Sequence, residues 1–415
     1  MSGIEDAVIY ALLFVSLYFE VFLLFTFLEN RERLKPGKGA EEIKIFPSVT
    51  IIVPCWNEEA TVEATVESLL SLDYPEDKLK VFVVDDGSTD GTWRKIQRFG
   101  KNGRVRIFRK ENGGKHTAVN LGIENTGSEF VGCLDADSFV DPKALKRIMK
   151  YFEDPETMAV APALKVHKSG NVIELIQNME YKMGIFMRKM FSLLGALQVT
   201  PGPFSIFRKK VFDELGPYRR AYNTEDLEYA LRMQSRHYKI ENAHDAFVYT
   251  VAPATFKGLY RQRVRWITGF LKNAVDYRFM FLKREYGNLG ILVLPIAFVS
   301  VFSALFFVGR TALAAAEFAV EKISLLNAVN FDFGFALSSV NFNWFFVNTG
   351  AMWMLSFFVL AMTAAFVAVG KKMADGKFRF SRDFFYYLFL YGLIAPLWLT
   401  KSVYNLFFAK NASWR

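Results

Sequence analysis

The sequence predicts an α/β protein: a doubly wound, mostly parallel sheet in one water-facing body, joined to interfacial amphipathic helices and about four transmembrane helices. Three observations predict it. Long apolar runs stand toward both ends of the chain, with none of comparable length between about 46 and 286. Short β-branched runs alternate with helical patterns through that central stretch. The composition averages two unlike parts, with 52% hydrophobic residues and 16% aromatic beside 22% charged. A mean hydropathy of +0.15 with so many charges excludes disorder and suits a chain that is part membrane and part water-soluble. Its 415 residues suffice for one large domain and substantial further structure. Lys and Arg number 51 against 42 Asp and Glu, a net charge of +9. A basic excess says only which polyanion or membrane face a protein could meet, and no nucleic-acid partner is expected. Cys55 and Cys133 are the only cysteines, too few for a disulfide framework, and are expected to be small core residues.

The first apolar run, Ala7 to Leu28, has the ~20 residues that a bilayer-spanning helix needs. A signal peptide would carry a basic leader and a small-residue cleavage site, whereas Glu5 and Asp6 precede this run. Residues 1–30 are therefore expected to be an uncleaved anchor. Arg31, Arg33, Lys35 and Lys38 follow, which puts the N-terminus outside a cell membrane and the body in the cytosol. Residues 286–415 are expected to hold three more spans: Leu289 to Val308, Trp344 to Val369, and Phe384 to about Thr400. Lys283 and Arg284, and then Lys371, Lys372, Lys377, Arg379 and Arg382, fall on the cytosolic side of that count. It leaves the C-terminus outside, against which Lys401, Lys410 and Arg415 argue. Thr311 to Asn343, too charged to span at Glu317, Glu321 and Lys322, is expected outside along the interface. Asn411-Ala-Ser reads as a glycosylation sequon, a triplet that chance also supplies. Glu20, a carboxylate within the first span, is expected to face a protein or aqueous interior.

In the body, Val49 to Cys55 is a short β-branched run ending in Pro54, the pattern of a buried parallel strand. A helix is predicted from Ala60 to Ser71 and a second strand from Lys80 to Val84. A third strand follows at Val105 to Arg109, a helix at His116 to Asn125, and a fourth strand at Phe130 to Leu134. Such alternation implies right-handed crossovers and a parallel sheet with helices on both faces. Ligands then bind at the carboxyl ends of the strands, near a topological switch point.

The polar clusters fall at those ends. Trp56, Asn57, Glu58 and Glu59 follow strand one, where a surface turn would also serve. Asp85 and Asp86 end strand two. Adjacent carboxylates repel and need donors or a cation to offset them, although an Asp-Gly turn is the plainer account. Asn112-Gly113-Gly114-Lys115, with Asn120 one turn on, could approach phosphate closely but lacks P-loop spacing. Asp135 and Asp137 close strand four. Residues i and i+2 of a strand share a face, so both carboxylates can hold one ion, and oxygen ligands suit Mg2+ or Mn2+.

Two later segments add to the set. Thr224-Glu225-Asp226 opens a helix, where Thr224 as N-cap with acids favoured by the dipole is a sufficient account. Gln262-Arg263-Val264-Arg265-Trp266 sits in a basic, aromatic helix from Phe256 to Phe281, and Val172 to Leu197 is similar, with Lys182, Arg188 and Lys189 on one face. Both are expected to lie on the membrane face, basic residues toward lipid head groups.

With Asp85-Asp86, Asp135-x-Asp137, Thr224-Glu225-Asp226 and Gln262-x-x-Arg265-Trp266 in order, the chain resembles membrane-integrated family 2 glycosyltransferases. These include the hyaluronan, cellulose, chitin-oligosaccharide and poly-N-acetylglucosamine synthases. The resemblance covers roughly residues 46–285. The single amino-terminal span looks most like the chitin-oligosaccharide synthases. Pro201 to Arg208 looks more like the poly-N-acetylglucosamine synthases, and typical hyaluronan synthases carry two amino-terminal spans.

The resemblance implies a GT-A-type catalytic domain over 46–255, an interfacial helix over 256–285, and inverting transfer from a UDP-sugar. It implies Trp56, Glu58, Asp85 and Asp86 at the uracil and ribose, and Asp135 and Asp137 on a divalent ion at the diphosphate, with Asp135 also near the donor sugar. Lys115, Gln262 and Arg265 would attend the donor, the two cations neutralising the leaving nucleoside diphosphate. Asp226 would be the general base, its pKa raised by burial near Glu225. Gly202, Pro203, Phe204 and Trp266 would line the acceptor site, where Trp266 stacks on a sugar. The partners so implied are a UDP-sugar, a growing glycan or lipid acceptor, and the bilayer; an accessory subunit is left open. Span aromatics such as Trp344, Trp353 and Trp398 could line a polymer channel, or pack against lipid. The rival readings are a transferase adding one sugar to a lipid, since such enzymes can carry Gln/Arg-x-x-Arg-Trp, and a non-catalytic secretion subunit, which would have lost the acids present here.

Overall fold

The computed structural model describes residues 3–32, 34, 46–328 and 351–408. Arg33, Lys35, Lys38, Trp344, Lys410, the Asn411 sequon and Arg415 lie outside the described residues. The elements in chain order are α1 Gly3–Asn30, β1 Val49–Cys55, α2 Val62–Leu70, β2 Leu79–Asp85, α3 Thr92–Ile96, β3 Val105–Arg109, α4 Lys115–Glu124, β4 Phe130–Cys133, β5 Ser138–Val140, α5 Ala144–Tyr151, β6 Thr157–Val166, α6 Val172–Leu193, β7 Ile206–Arg208, α7 Lys210–Leu215, α8 Glu225–Gln234, β8 Lys239–Thr250 and α9 Phe256–Asp276. Three apolar helices follow: α10 Leu289–Ala328, α11 Ala351–Asp375 and α12 Arg382–Phe408.

All seven residues of β1 are buried, as a strand covered on both faces requires. Alternation sends Val49, Ile51 and Val53 into one core under α2 and α5, and Ile52 into a second with Phe82 and Val84. The sheet runs β3-β2-β1-β4-β7-β6-β8-β5. β1 pairs in parallel with β2, Cys55 opposite Asp85, and with β4 on its other side. The chain moves outward from β1 to β3 and then returns to β4, so the switch point lies between β1 and β4. The second half is mixed: β7 is antiparallel to both β4 and β6, β6 is parallel to β8, and β5 is antiparallel to β8.

Lys182 and Lys189 of α6 and Arg263 of α9 are not the free, lipid-directed cations their sequence suggests. Lys182 is 8% exposed and its Nζ lies 2.7 Å from Asp375 Oδ2 in α11. Lys189 is buried and donates to the Asn242 carbonyl at 3.0 Å. Arg263 is 2% exposed, with Nη2 2.6 Å from Glu180 Oε2 in α6. A buried charge needs a partner, and here long-range carboxylates and carbonyls supply it.

Four helices among the described residues, α1, α10, α11 and α12, are long and apolar enough to cross a membrane. α10 has 40 residues, about 60 Å at 1.5 Å per residue. Thr311 to Ala328 therefore continues the helix rather than leaving it for an interfacial segment. The chain divides into two compact units, Met1–Phe22 with Ile296–Thr363, and Leu23–Pro295 with Ala364–Arg415. Within the first, Glu20 accepts from Thr363 Oγ1 at 2.7 Å, and Arg310 pairs with Glu5. Polar groups of apolar helices thus meet protein partners.

Within the second unit, α12 touches the body along its length. Asp383 accepts from Asn178 of α6 at 3.0 Å, Tyr391 donates to Glu180 at 3.1 Å, and Ser402 Oγ donates to the Val264 carbonyl of α9 at 3.4 Å. Asp383, Tyr391 and Ser402 of α12 thus all rest on the same body.

Candidate active site

A cavity of about 1050 Å³ lies at the carboxyl ends of β1, β2 and β4 and is lined also by residues of α9 and by Lys401 of α12. Its lining gathers Trp56, Glu58, Asp86, Lys115, Asp135, Asp137, Glu225, Gln262 and Arg265 from the predicted set.

Asp86, 3% exposed, fastens the glycine loop. It accepts from the Gly113 and Gly114 amides at 3.1 and 2.8 Å and from Lys110 Nζ at 2.7 Å. Gly114 has φ +91°, a conformation that favours glycine. These amides thus hold a carboxylate, and the loop's purpose is to deliver Lys115 at the start of α4. Asp85 is 0% exposed and stands beneath the cavity, 3.1 Å from Arg109 Nε and accepting from the Ser88 amide at 3.1 Å. Asn120 braces Tyr218 through two hydrogen bonds of 2.9 Å.

Lys115 is the cation around which the acids collect. Its Nζ lies 2.5 Å from Asp135 Oδ1 and 3.6 Å from Glu225 Oε1. Burial alone would lower its pKa, but Asp135, Glu225 and Asp226 together reverse that and hold it well above the ordinary lysine value. Gly202 permits the approach: a Cβ there would lie 2.5 Å from Lys115 Nζ.

Asp226, in the first turn of α8, accepts from the Leu227 amide at 2.9 Å and from the Gly202 amide at 3.3 Å. Burial first, and Glu225 second, push its carboxyl up to about 6, overriding the helix N-terminus that would favour the anion. Thr224 is not a side-chain N-cap. Its hydroxyl donates to the Ala221 carbonyl at 3.0 Å and accepts from Asn273 of α9 at 2.9 Å. Just before it, Ala221, Tyr222 and Asn223 have φ of +42°, +58° and +63°, a left-handed run that turns the chain into α8.

Asp137 is pushed up to about 7 by burial, then by Asp135 and Glu58. Such crowding is what a cation relieves. Among the described residues no group of three or more His, Cys, Asp and Glu is placed to hold a metal ion. Asp135 and Asp137 could therefore supply part of a coordination shell, the rest coming from phosphate oxygens and water, which suits Mg2+ or Mn2+.

None of the four predicted acceptor residues lines the cavity, nor do Asp85 and Asp226. Phe204 is 0% exposed, with φ +66° and its amide donating to the Cys133 carbonyl; its ring belongs to the core and cannot line an acceptor site. Pro203 and Trp266 are not in the cavity lining, and Trp266 has the Arg263 guanidinium 4.4 Å over its ring. Gln262 accepts from the same Arg263 at 2.5 Å. The lining also includes His116, Arg220, Asn223, Arg261 and Lys401, none of which the sequence singled out as site residues. The i, i+4 spacing of Arg261 and Arg265 on α9 was a usable signal. Lys401 gave none.

Residues 50–216 match the family model Glycosyl transferase family 2. The chain is 30% identical over 263 residues to the poly-beta-1,6-N-acetyl-D-glucosamine synthase of Staphylococcus aureus (strain COL), covering 62% of this chain and 63% of that one. It is 33% identical over 224 residues to the synthase of the same name from Staphylococcus epidermidis, covering 53% and 54%. The match thus spans less than two thirds of these curated relatives. Among solved structures, a mannosyltransferase, PcManGT from Pyrobaculum calidifontis in complex with GDP-Man and Mn2+, superposes with a TM-score of 0.64 at 19% identity, over 98% of this chain and 100% of that one. This chain therefore shares its fold with that protein.

Proposed function

We propose that the chain is an inverting, processive β-glycosyltransferase that polymerises a UDP-sugar, UDP-N-acetylglucosamine in the first place, and passes the polymer across the membrane. The observation that carries the chemistry is Asp226, a carboxylate raised to about 6 beside Glu225, which lines one cavity with Lys115 and Asp135. The relatives' activity, synthesis of poly-β-1,6-N-acetylglucosamine, supports the sugar and the polymer.

In this reading Asp226 takes the proton of the acceptor hydroxyl as its oxygen attacks the anomeric carbon. The bond from that carbon to the donor phosphate breaks on the opposite face, and UDP leaves with the bonding pair. Glu225 keeps the base basic enough at neutral pH by disfavouring a second negative charge beside it. Lys115 and Arg265 meet the charge that develops on the diphosphate. Asp135 and Asp137 would hold Mg2+ or Mn2+, whose charge serves the same diphosphate. Trp56 and Glu58 border the donor end of the cavity, and Gly202 leaves room for Lys115 beside the acceptor. The body is cytosolic and the N-terminus outside, following the basic residues after α1.

Purified chain incubated with radiolabelled UDP-N-acetylglucosamine and Mn2+ or Mg2+ should give a product that lengthens with time. A single-sugar, solvent-extractable product would overturn processivity in favour of a lipid acceptor. Absence of turnover with every UDP-sugar would overturn the enzyme reading.

A further inference from the structure

The last apolar helix brings a lysine to the active-site cavity. Trp398, Ser402 and Asn405 are buried at helical spacing, so one face of α12 packs on the body, and Ser402 bonds the Val264 carbonyl of α9. Lys401 sits beside that packed face and lines the same cavity as Arg261, Gln262 and Arg265. Among the described residues neither Lys401 nor Arg261 forms an ion pair; Lys401 Nζ rests 4.6 Å from the Tyr404 ring centroid. Three cations from α9 and α12 therefore line the cavity that Asp135 and Asp137 also line. Like charges held together repel, and a wall of this kind is complementary to an anion.

We propose that Lys401 is a substrate-binding residue, forming with Arg261 and Arg265 a cationic wall for the diphosphate of the nucleotide sugar. The wall faces the cavity in which Lys115 and the two aspartates would hold the same diphosphate, and this favours the nucleotide over the phosphate of a lipid head group. The proposal deepens the nucleotide-sugar reading above and rests on it. It also makes α12 part of the active site, so a shift of this helix along α9 changes donor affinity.

The test titrates UDP, and separately uridine, into the full chain in detergent without anionic lipid, for the wild type, Lys401→Gln and Lys401→Arg. Lys401→Gln should raise the Kd for UDP about tenfold, the usual loss of one charge-assisted contact, and leave uridine binding unchanged. Lys401→Arg should stay near the wild type. Equal UDP affinity in Lys401→Gln would overturn the proposal, as would a loss seen only after anionic lipid is added. As a second route, Lys401→Cys should react with a membrane-impermeant maleimide and be protected by UDP, the native Cys55 and Cys133 being buried. Labelling that UDP does not slow would overturn the proposal. A wild type that binds no UDP would overturn the nucleotide-sugar reading itself, and the proposal with it.

Discussion

The cavity has two unlike walls. The strand-end wall is made of loops at the carboxyl ends of parallel strands, and it is rich in carboxylates: Glu58, Asp86, Asp135 and Asp137. The helical wall, from α9 and α12, contributes Arg261, Arg265 and Lys401. Each strand-end acid is bonded to, or pushed by, a neighbour a few ångströms away on the same wall, as with Asp86 and the Gly114 amide. The helical wall is fixed instead by contacts between distant parts of the chain, Arg263 to Glu180 and Tyr391 to Glu180. The difference teaches that one wall is a local product of the sheet and the other a product of helix docking. A nucleoside diphosphate with a cation would bridge them.

The largest way to break this picture lies at the base. Asp226→Asn should lower turnover by about a thousandfold while UDP binding persists, since only the proton acceptor is lost. Steady-state rates beside calorimetric UDP binding check it, and full turnover would refute the assignment.

Next comes the acid wall. Asp135→Asn or Asp137→Asn should weaken UDP binding in Mn2+ or Mg2+ by about a hundredfold and leave binding in chelator little changed. Equal losses with and without metal would mean that these aspartates only balance Lys115.

The helical wall can be tested without touching the cavity. Glu180→Ala would leave the Arg263 guanidinium buried without its carboxylate, at a cost of about 3 kcal/mol. Thermal unfolding of the detergent-solubilised chain should show it, whereas Tyr391→Phe, which removes a single hydrogen bond to Glu180, should cost about 1 kcal/mol.

The smallest effect is with pH. The Asp226 carboxyl, raised to about 6, must be ionised to accept a proton. Activity governed by it is therefore present above pH 6 and is lost as pH falls through that value, about tenfold per unit below it. A pH profile of kcat/KM for the donor checks this; a midpoint near the ordinary aspartate value would show that the group is not held by its buried neighbours.

Much of the strand-end wall was legible in the sequence. Val49 to Cys55 and Phe130 to Leu134 read as strands because short apolar runs between turn residues have few other uses, and the acids after them then had to share one edge. Lys182, Lys189 and Arg263 were misread. Lys182 and Arg263 look lipid-directed on a helical wheel, and only Asp375, Asp383 and Glu180, brought from far along the chain, turn them inward. Phe204 was misread for a related reason: its left-handed backbone and the Cys133 carbonyl draw its ring into the core.

The sequence alone determined the α/β body, the four long apolar helices, and the placing of carboxylates at the ends of β2 and β4. All of these depend on residue type and short-range periodicity. Tertiary structure decided which of those carboxylates meet Lys115, that Asp85 stands beneath the cavity, and that Lys401 of the last helix reaches it. Those outcomes depend on the packing of segments up to hundreds of residues apart, and packing has no period that a single sequence displays.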